Sequence, residues 1–304
     1  MLDETAAGVF TIAVTPFLPD GALDADSLDR MVDFYLEKGA TGLTILGMMG
    51  EAEKLTAAES VEVVQRVCTR APVPVVVGVS APGFAAMVAL AGAAMEAGAA
   101  GVMVAPPGKL RTDDQIADYY RNVAQMLGEI PFVLQDFPLA TGVQIASRVI
   151  DRIIADCPTC VMLKHEDWPG LEKISTLRKS AAAGQRRISI LCGNGGLFLP
   201  EEMDRGADGA MTGFAYPEMM AEVVRLHHAG EADRLHALFS AYLPLVRYEG
   251  QPGLGLAIRK YTLAKRGAIG HAALRAPGAR LSSATIAEVE RLIALQSARL
   301  AELG

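Results

Sequence analysis

Lys164 closes an apolar run, Cys160-Val161-Met162-Leu163, and is followed by His165 and Glu166. An amine held at an apolar site mouth is desolvated, which lowers its pKa and frees its lone pair to attack a carbonyl carbon. The alternative is an ordinary lysine whose stem packs on apolar surface while its ammonium reaches water. Asp136 ends a second apolar run and precedes Phe137-Pro138. It is either an acid/base group or a turn-forming aspartate. His165 is a candidate proton shuttle, but on an extended strand its side chain points away from that of Lys164, which suits a structural histidine. Glu51, in Gly47-Met48-Met49-Gly50-Glu51, either caps a loop or joins the chemistry. The turn Gly193-Asn194-Gly195 could bring backbone N–H groups up to a carboxylate, or be ordinary loop composition.

Other reactive residue types carry less. His227, His228, His236 and His271 have no metal-ligand spacing with another ligand, so neither a metal nor a cofactor is expected. Cys157-Pro158-Thr159-Cys160 has CxxC spacing, but no second pair and no nearby histidine. With Cys68 and Cys192, these are expected to be reduced, inert thiols of a cytoplasmic protein.

Such groups need a scaffold, and the chain repeats one. Gly39-Ala40-Thr41-Gly42, Gly98-Ala99-Ala100-Gly101 and Gly206-Ala207-Asp208-Gly209 share the pattern G-A-x-G before an apolar residue. The first glycine suits a helix C-terminus with positive φ, and the second opens a strand. The spacing amounts to about two and four units of just under 30 residues, the length of a strand–helix unit. Short β-like runs recur near Val9–Val14, Leu43–Gly47, Val73–Val79, Val102–Ala105, Pro131–Asp136, Cys160–Lys164, Ile188–Cys192 and Ala210–Gly213. Several are apolar almost throughout, as strands covered on both faces must be. Between them, Leu28, Met31, Val32, Tyr35 and Leu36 form one helical face, and Thr56 to Glu59 reads as a capping box.

Eight strands alternating with eight helices predict a (β/α)8 TIM barrel over residues 1–228, an α/β fold. No G-x-G-x-x-G follows the first strand, which weighs against a dinucleotide fold. Helical patterns near 232–247, 252–266 and 284–302 predict a three-helix C-terminal region, 229–304, packed on the barrel. In a barrel, chemistry gathers at the C-terminal strand ends. That rule selects Lys164, Asp136 and Gln135 as catalytic candidates. Met48, Met49, Gly193, Asn194, Thr212 and Glu166 become candidates for substrate binding.

Composition excludes several classes. The 304 residues are 51% apolar and 21% charged, with material for a core that disordered chains lack. A net charge of −7 without a basic stripe argues against a nucleic-acid partner. No stretch approaches about 18 uninterrupted apolar residues, so no membrane partner is expected. The opening MLDETAAGVF lacks the basic start of a signal peptide.

Over residues 8–300 the sequence resembles the dihydrodipicolinate synthase / N-acetylneuraminate lyase family of class I aldolases. Gly8-Val9-Phe10 to Thr15-Pro16-Phe17 resembles its first strand, and Gly47–Glu51 stands at its G-T-T-G-E loop. Leu134-Gln135-Asp136-Phe137-Pro138, then Thr141-Gly142, resembles its L-Y-N-x-P-x-R-T-G segment. Gly206 to Ala210 resembles the approach to its eighth strand. Lys260-Tyr261-Thr262-Leu263, Gly267-Ala268-Ile269 and Arg275-Ala276-Pro277 resemble its C-terminal region. Lys164 falls on its Schiff-base lysine. The resemblance implies a small-molecule 2-oxo acid substrate bound as an iminium ion, and a homo-oligomer, dimer or tetramer.

The departures from that pattern redirect the expected chemistry. Met48 and Met49 stand for two loop threonines, Gln135 for the tyrosine that carries protons over the imine, and Ala140 for an arginine that grips the second substrate. Pro107-Gly108 replaces a tyrosine pair of which one reaches a neighbouring subunit. Glutamine is not a general acid and methionine passes no proton. The L-Q-D-x-P form, with Lys164-His165-Glu166, is more similar to the branch that dehydrates 2-keto-3-deoxy sugar acids. The expectation is a Schiff-base lyase for a pyruvate-type or 2-keto-3-deoxy sugar acid, by dehydration or aldol cleavage. The alternatives are 4-hydroxy-tetrahydrodipicolinate synthesis and an inactive 2-oxo acid binding protein.

Overall fold

A computed structural model describes residues 1–168 and 170–303. Its strands are β1 Gly8–Ile12, β2 Gly42–Ile45, β3 Val75–Gly78, β4 Gly101–Val104, β5 Phe132–Asp136, β6 Cys160–His165, β7 Ser189–Cys192 and β8 Gly209–Ala210. All pair in parallel in chain order, and β8 pairs back to β1, so the sheet closes into a barrel. The outer layer is α1 Ala25–Glu37, α2 Ala57–Arg70, α3 Phe84–Glu96, α4 Asp113–Leu127, α5 Pro138–Thr141, α6 Ser147–Asp156, α7 Leu171–Ala182, α8 Leu199–Asp204 and α9 Pro217–His228. Three further helices follow: α10 Ala232–Glu249, α11 Gly255–Lys265 and α12 Ser283–Glu302. This is the predicted TIM barrel with C-terminal helices.

Local chemistry explains the elements. The Thr56–Glu59 capping box opens α2, and a second, Thr112 with Gln115, opens α4. Gly39, Gly98 and Gly206 have φ of +89°, +93° and +94°. Gly42, Gly101 and Gly209 begin β2, β4 and β8. A Cβ on Gly209 would lie 1.9 Å from the Gly8 carbonyl oxygen, so only glycine closes the barrel there. The eighth strand is shorter than predicted and ends at Ala210. Thr212 still accepts from the Ile12 N–H at 2.9 Å, but the chain is by then bending into the barrel mouth.

Two apolar layers result. Phe10, Val76, Met103, Val133, Leu191 and Met211 fill the barrel interior. Val9, Val77, Val104, Leu134 and Ile190 face the helices, in a cluster that continues into α10 and α11 through Phe239, Leu245, Ile258 and Leu263 and into α12 through Val289. Strand β6 departs from simple alternation. Phe132 of β5 pairs with Cys160, but Val133 pairs with Met162. One extra residue is accommodated, and Val161 and Met162 both belong to the interior layer. Beyond it Leu163 faces the helices, while Gln135 registers with Lys164 and Asp136 with His165.

A buried ion pair ties the C-terminal region to the barrel mouth. Lys260 of α11 is fully buried and donates to the carbonyls of Thr15 at 2.7 Å and Ala273 at 2.9 Å. It also pairs with Glu51, whose other oxygen accepts from Lys54 Nζ at 2.7 Å and the Arg275 N–H at 3.1 Å. Burial lowers the Lys260 pKa to about 8 against the pull of Glu51. Glu51 is thus a structural clamp. All four cysteines are free, and burial pushes Cys157 up to about 11 and Cys160 up to about 12. Among the described residues, no helix is long and apolar enough to cross a membrane.

Two outcomes are expected. Lys260→Met leaves the buried Glu51 carboxylate without its main cation and should destabilise the fold by about 3–5 kcal/mol in urea denaturation. Pairing it with Glu51→Leu should recover much of that loss. Glu202 on α8 is 5% exposed, and burial raises its pKa to about 8. The folded protein therefore keeps a proton that the unfolded chain, with an ordinary value of 4.5, releases. This contribution is full below that value and fades as pH rises towards 8. Glu202→Gln should flatten the fall of Tm between pH 5 and 8, and an unchanged slope would refute the assignment.

Candidate active site

A cavity of about 640 Å³ opens where the C-terminal strand ends meet α10 and α11. Lys164 reaches it because the extra residue in β6 turns its side chain inward. The amine is nearly buried, 6% exposed, and its Nζ lies 2.9 Å from Glu166 Oε2. Gln135, the register partner across β5, donates from Nε2 to the same oxygen at 2.7 Å. One carboxylate oxygen therefore holds both an ammonium and an amide, in a pocket walled by Ile12, Phe137 and Leu197. In such low-dielectric surroundings the attraction is far stronger than in water.

Most predicted site residues converge here. Met48, Met49, Asn194 and Thr212 line the same cavity as Lys164, Gln135 and Glu166. Met48 stands 43% exposed at the rim. Thr212 Oγ1 accepts from the Gly195 N–H at 2.8 Å, fixing the turn after β7 beside the end of β8. Ala140 also lines the cavity, so no guanidinium stands at that position.

Three expectations need correction. Asp136 is not in the cavity. Strand alternation sends it to the helix side, where Oδ2 accepts from Lys173 Nζ of α7 at 2.7 Å. Gly193 does not line the cavity either. A Cβ there would lie 2.1 Å from Glu166 Cγ, so the glycine makes room for that carboxylate. The Gly-Asn-Gly turn offers few amides to an anion, because the N–H groups of Gly193, Gly195 and Gly196 bond to His165 O, Thr212 Oγ1 and Gly193 O. His165 faces the helices as expected, with Nε2 3.1 Å from Gly170 O.

Sequence reading missed three charged residues from outside the strands, Arg247 and Glu249 of α10 and Arg259 of α11. Glu249 ends α10 and Arg259 lies in α11, and both line the cavity while almost fully buried. Arg259 Nε donates to Glu249 Oε1 at 2.5 Å, and Glu249 Oε2 accepts from the Ala215 N–H at 3.2 Å. Burial raises the Glu249 pKa, and Arg259 opposes that rise. The available signal was two consecutive basic residues inside the mostly apolar stretch from Ala257 to Leu263. Among the described residues, no group of three or more His, Cys, Asp or Glu side chains is arranged to hold a metal.

Known proteins share this chain's pattern. The model of the dihydrodipicolinate synthetase family matches residues 5–296. A 4-hydroxy-tetrahydrodipicolinate synthase of Sorangium cellulosum is 32% identical over 245 residues, 79% of this chain and 79% of that protein. An L-2-keto-3-deoxyarabonate dehydratase of Azospirillum brasilense is 28% identical over 290 residues, 93% of this chain and 92% of its own. The crystal structure of a dihydrodipicolinate synthase from Rhodopseudomonas palustris superposes with a TM-score of 0.95 at 55% identity, over 97% of this chain and 99% of that one. With a matching fold, a matching length and a family match across the barrel and most of the C-terminal region, the chain belongs to the dihydrodipicolinate synthetase family.

Proposed function

We propose that the protein is a Schiff-base-forming lyase acting on a 2-oxo acid of the 2-keto-3-deoxy sugar acid class. The carrying observation is the buried contact of Lys164 Nζ with Glu166 Oε2 at 2.9 Å. An ammonium cannot attack a carbonyl, and Glu166 is within reach to take the proton. The free amine adds to C2, and the hydroxyl formed there leaves as water with the proton that Glu166 took, which gives an iminium ion and restores the carboxylate. The positive charge stays on nitrogen, beside the same carboxylate, so the site avoids an unpaired buried charge.

The iminium acidifies the C3 proton, which Glu166 is placed to accept, and the C3–H electrons form the C2–C3 double bond of an enamine. The enamine then expels the C4 hydroxyl, which leaves as water with the proton held by Glu166, and hydrolysis of the resulting imine returns Lys164. Gln135 keeps Glu166 in position and carries no titrating proton. Thr212 and Asn194 supply polar contacts for the substrate carboxylate, and Met48 and Met49 form an apolar wall. Likeness over nine-tenths of the chain to an L-2-keto-3-deoxyarabonate dehydratase supports this chemistry.

The second reading is 4-hydroxy-tetrahydrodipicolinate synthesis, favoured by likeness to a synthase. Ala140 and Gln135 speak against it, since alanine cannot hold a second substrate's carboxylate as a guanidinium does and glutamine relays no proton.

The test is incubation with pyruvate, or with 2-keto-3-deoxyarabonate and 2-keto-3-deoxygluconate, followed by borohydride reduction and intact-mass measurement. An adduct on Lys164 is expected, and Lys164→Ala and Lys164→Arg should abolish it. Full turnover by either variant would end the imine reading. Glu166→Gln should lower kcat for the sugar acid by about 10²–10⁴-fold. A variant retaining wild-type kcat would remove Glu166 from the proton transfers. Turnover of pyruvate with aspartate semialdehyde, and of no sugar acid, would favour the second reading.

A further inference from the structure

Arg259 carries a feature that its ion pair leaves unexplained. It is 4% exposed and its Nε is spent on Glu249, yet Nη1 is buried with no hydrogen-bond partner. A buried donor without an acceptor is costly and rarely retained without a reason. Arg259 also lines the cavity that holds Lys164. The residue facing it, Gly213, directly follows Thr212 at the β8 mouth. A Cβ on Gly213 would fall 2.2 Å from Nη1, so the missing side chain provides the seat of the guanidinium.

We propose that Arg259 is a specificity-determining residue whose Nη1 donates to a hydroxyl oxygen on C5 or C6 of the substrate, an inference that rests on the sugar acid reading above. Glu249 already balances the guanidinium charge, so the unpaired N–H calls for a neutral acceptor such as a hydroxyl. Arg259 lines the same cavity as Lys164, and a five- or six-carbon sugar acid carries hydroxyls beyond C3 that pyruvate lacks.

The experiment compares borohydride trapping at Lys164 by pyruvate, 2-oxohexanoate and 2-keto-3-deoxygluconate, reading the half-saturating concentration of each. The two six-carbon acids differ in their hydroxyl groups. Wild type should favour the hydroxylated acid. Arg259→Lys keeps a cation for Glu249 but loses the Nη1 donor. It should weaken 2-keto-3-deoxygluconate at least tenfold more than the other two acids. Gly213→Ala, which pushes Nη1 aside while leaving the Arg259–Glu249 pair its own atoms, should give the same selective loss, and it decides the matter if Arg259→Lys does not fold. Equal weakening of all three acids in a folded variant would overturn the proposal. So would wild-type trapping of pyruvate with no preference for the hydroxylated acid, which leaves the imine reading intact. Trapping of no acid by wild type defeats both.

Discussion

One extra residue in β6 sets the direction of every side chain after it. Phe132 and Val133 are neighbours in β5, but their partners Cys160 and Met162 are separated by Val161. Both Val161 and Met162 face the interior, and the alternation restarts one step out of phase. Without that step, strict alternation from Cys160 would turn Lys164 to the helix layer and His165 into the barrel. With it, Lys164 meets Gln135 across the ladder and Asp136 leaves the cavity for Lys173. A local irregularity in pairing thus decides which residue types are available to a ligand.

The buried charges of the cavity come as pairs, while Arg247 lines it as an exposed residue. Lys164 is held by Glu166, and Arg259 by Glu249. Neither pair could be opened by removing one partner without leaving a buried charge uncompensated. The first pair has a lone amide, Gln135, as its third member. Glu166 in turn stands where it does because Gly193 has no side chain. The proposed chemistry follows from this economy of parts: a carboxylate beside an amine accepts the proton that the amine must lose and then faces the cation that the amine becomes.

The barrel alone does not enclose the cavity. Helices α10 and α11 supply Val246, Glu249, Leu256 and Arg259 to its wall. They are held to the strand ends by Lys260 and Glu51 and by the apolar cluster shared with the barrel helices. Adjacent residues on α11 therefore divide two tasks. Lys260 anchors the helix to the loop after β2, and Arg259 faces the cavity.

Much of this was legible in the sequence. Apolar runs at regular spacing, the G-A-x-G repeats and the Thr56 capping box determine strands, helix ends and hence the barrel, because these are local demands of backbone geometry. The barrel rule then selects Lys164, Gln135, Glu166, Met48, Met49, Asn194 and Thr212, which do line one cavity. Asp136 was misplaced because counting residues along β5 gives its position at the mouth and not its face. Gly193 is visible in sequence as a turn glycine, but its purpose is the contact with Glu166, a residue on another strand. Glu249 and Arg259 carry no motif at all. Only the tertiary structure decided these, because side-chain direction depends on pairing register, and the buried ion pair brings together two residues joined neither by strand pairing nor by a shared helix.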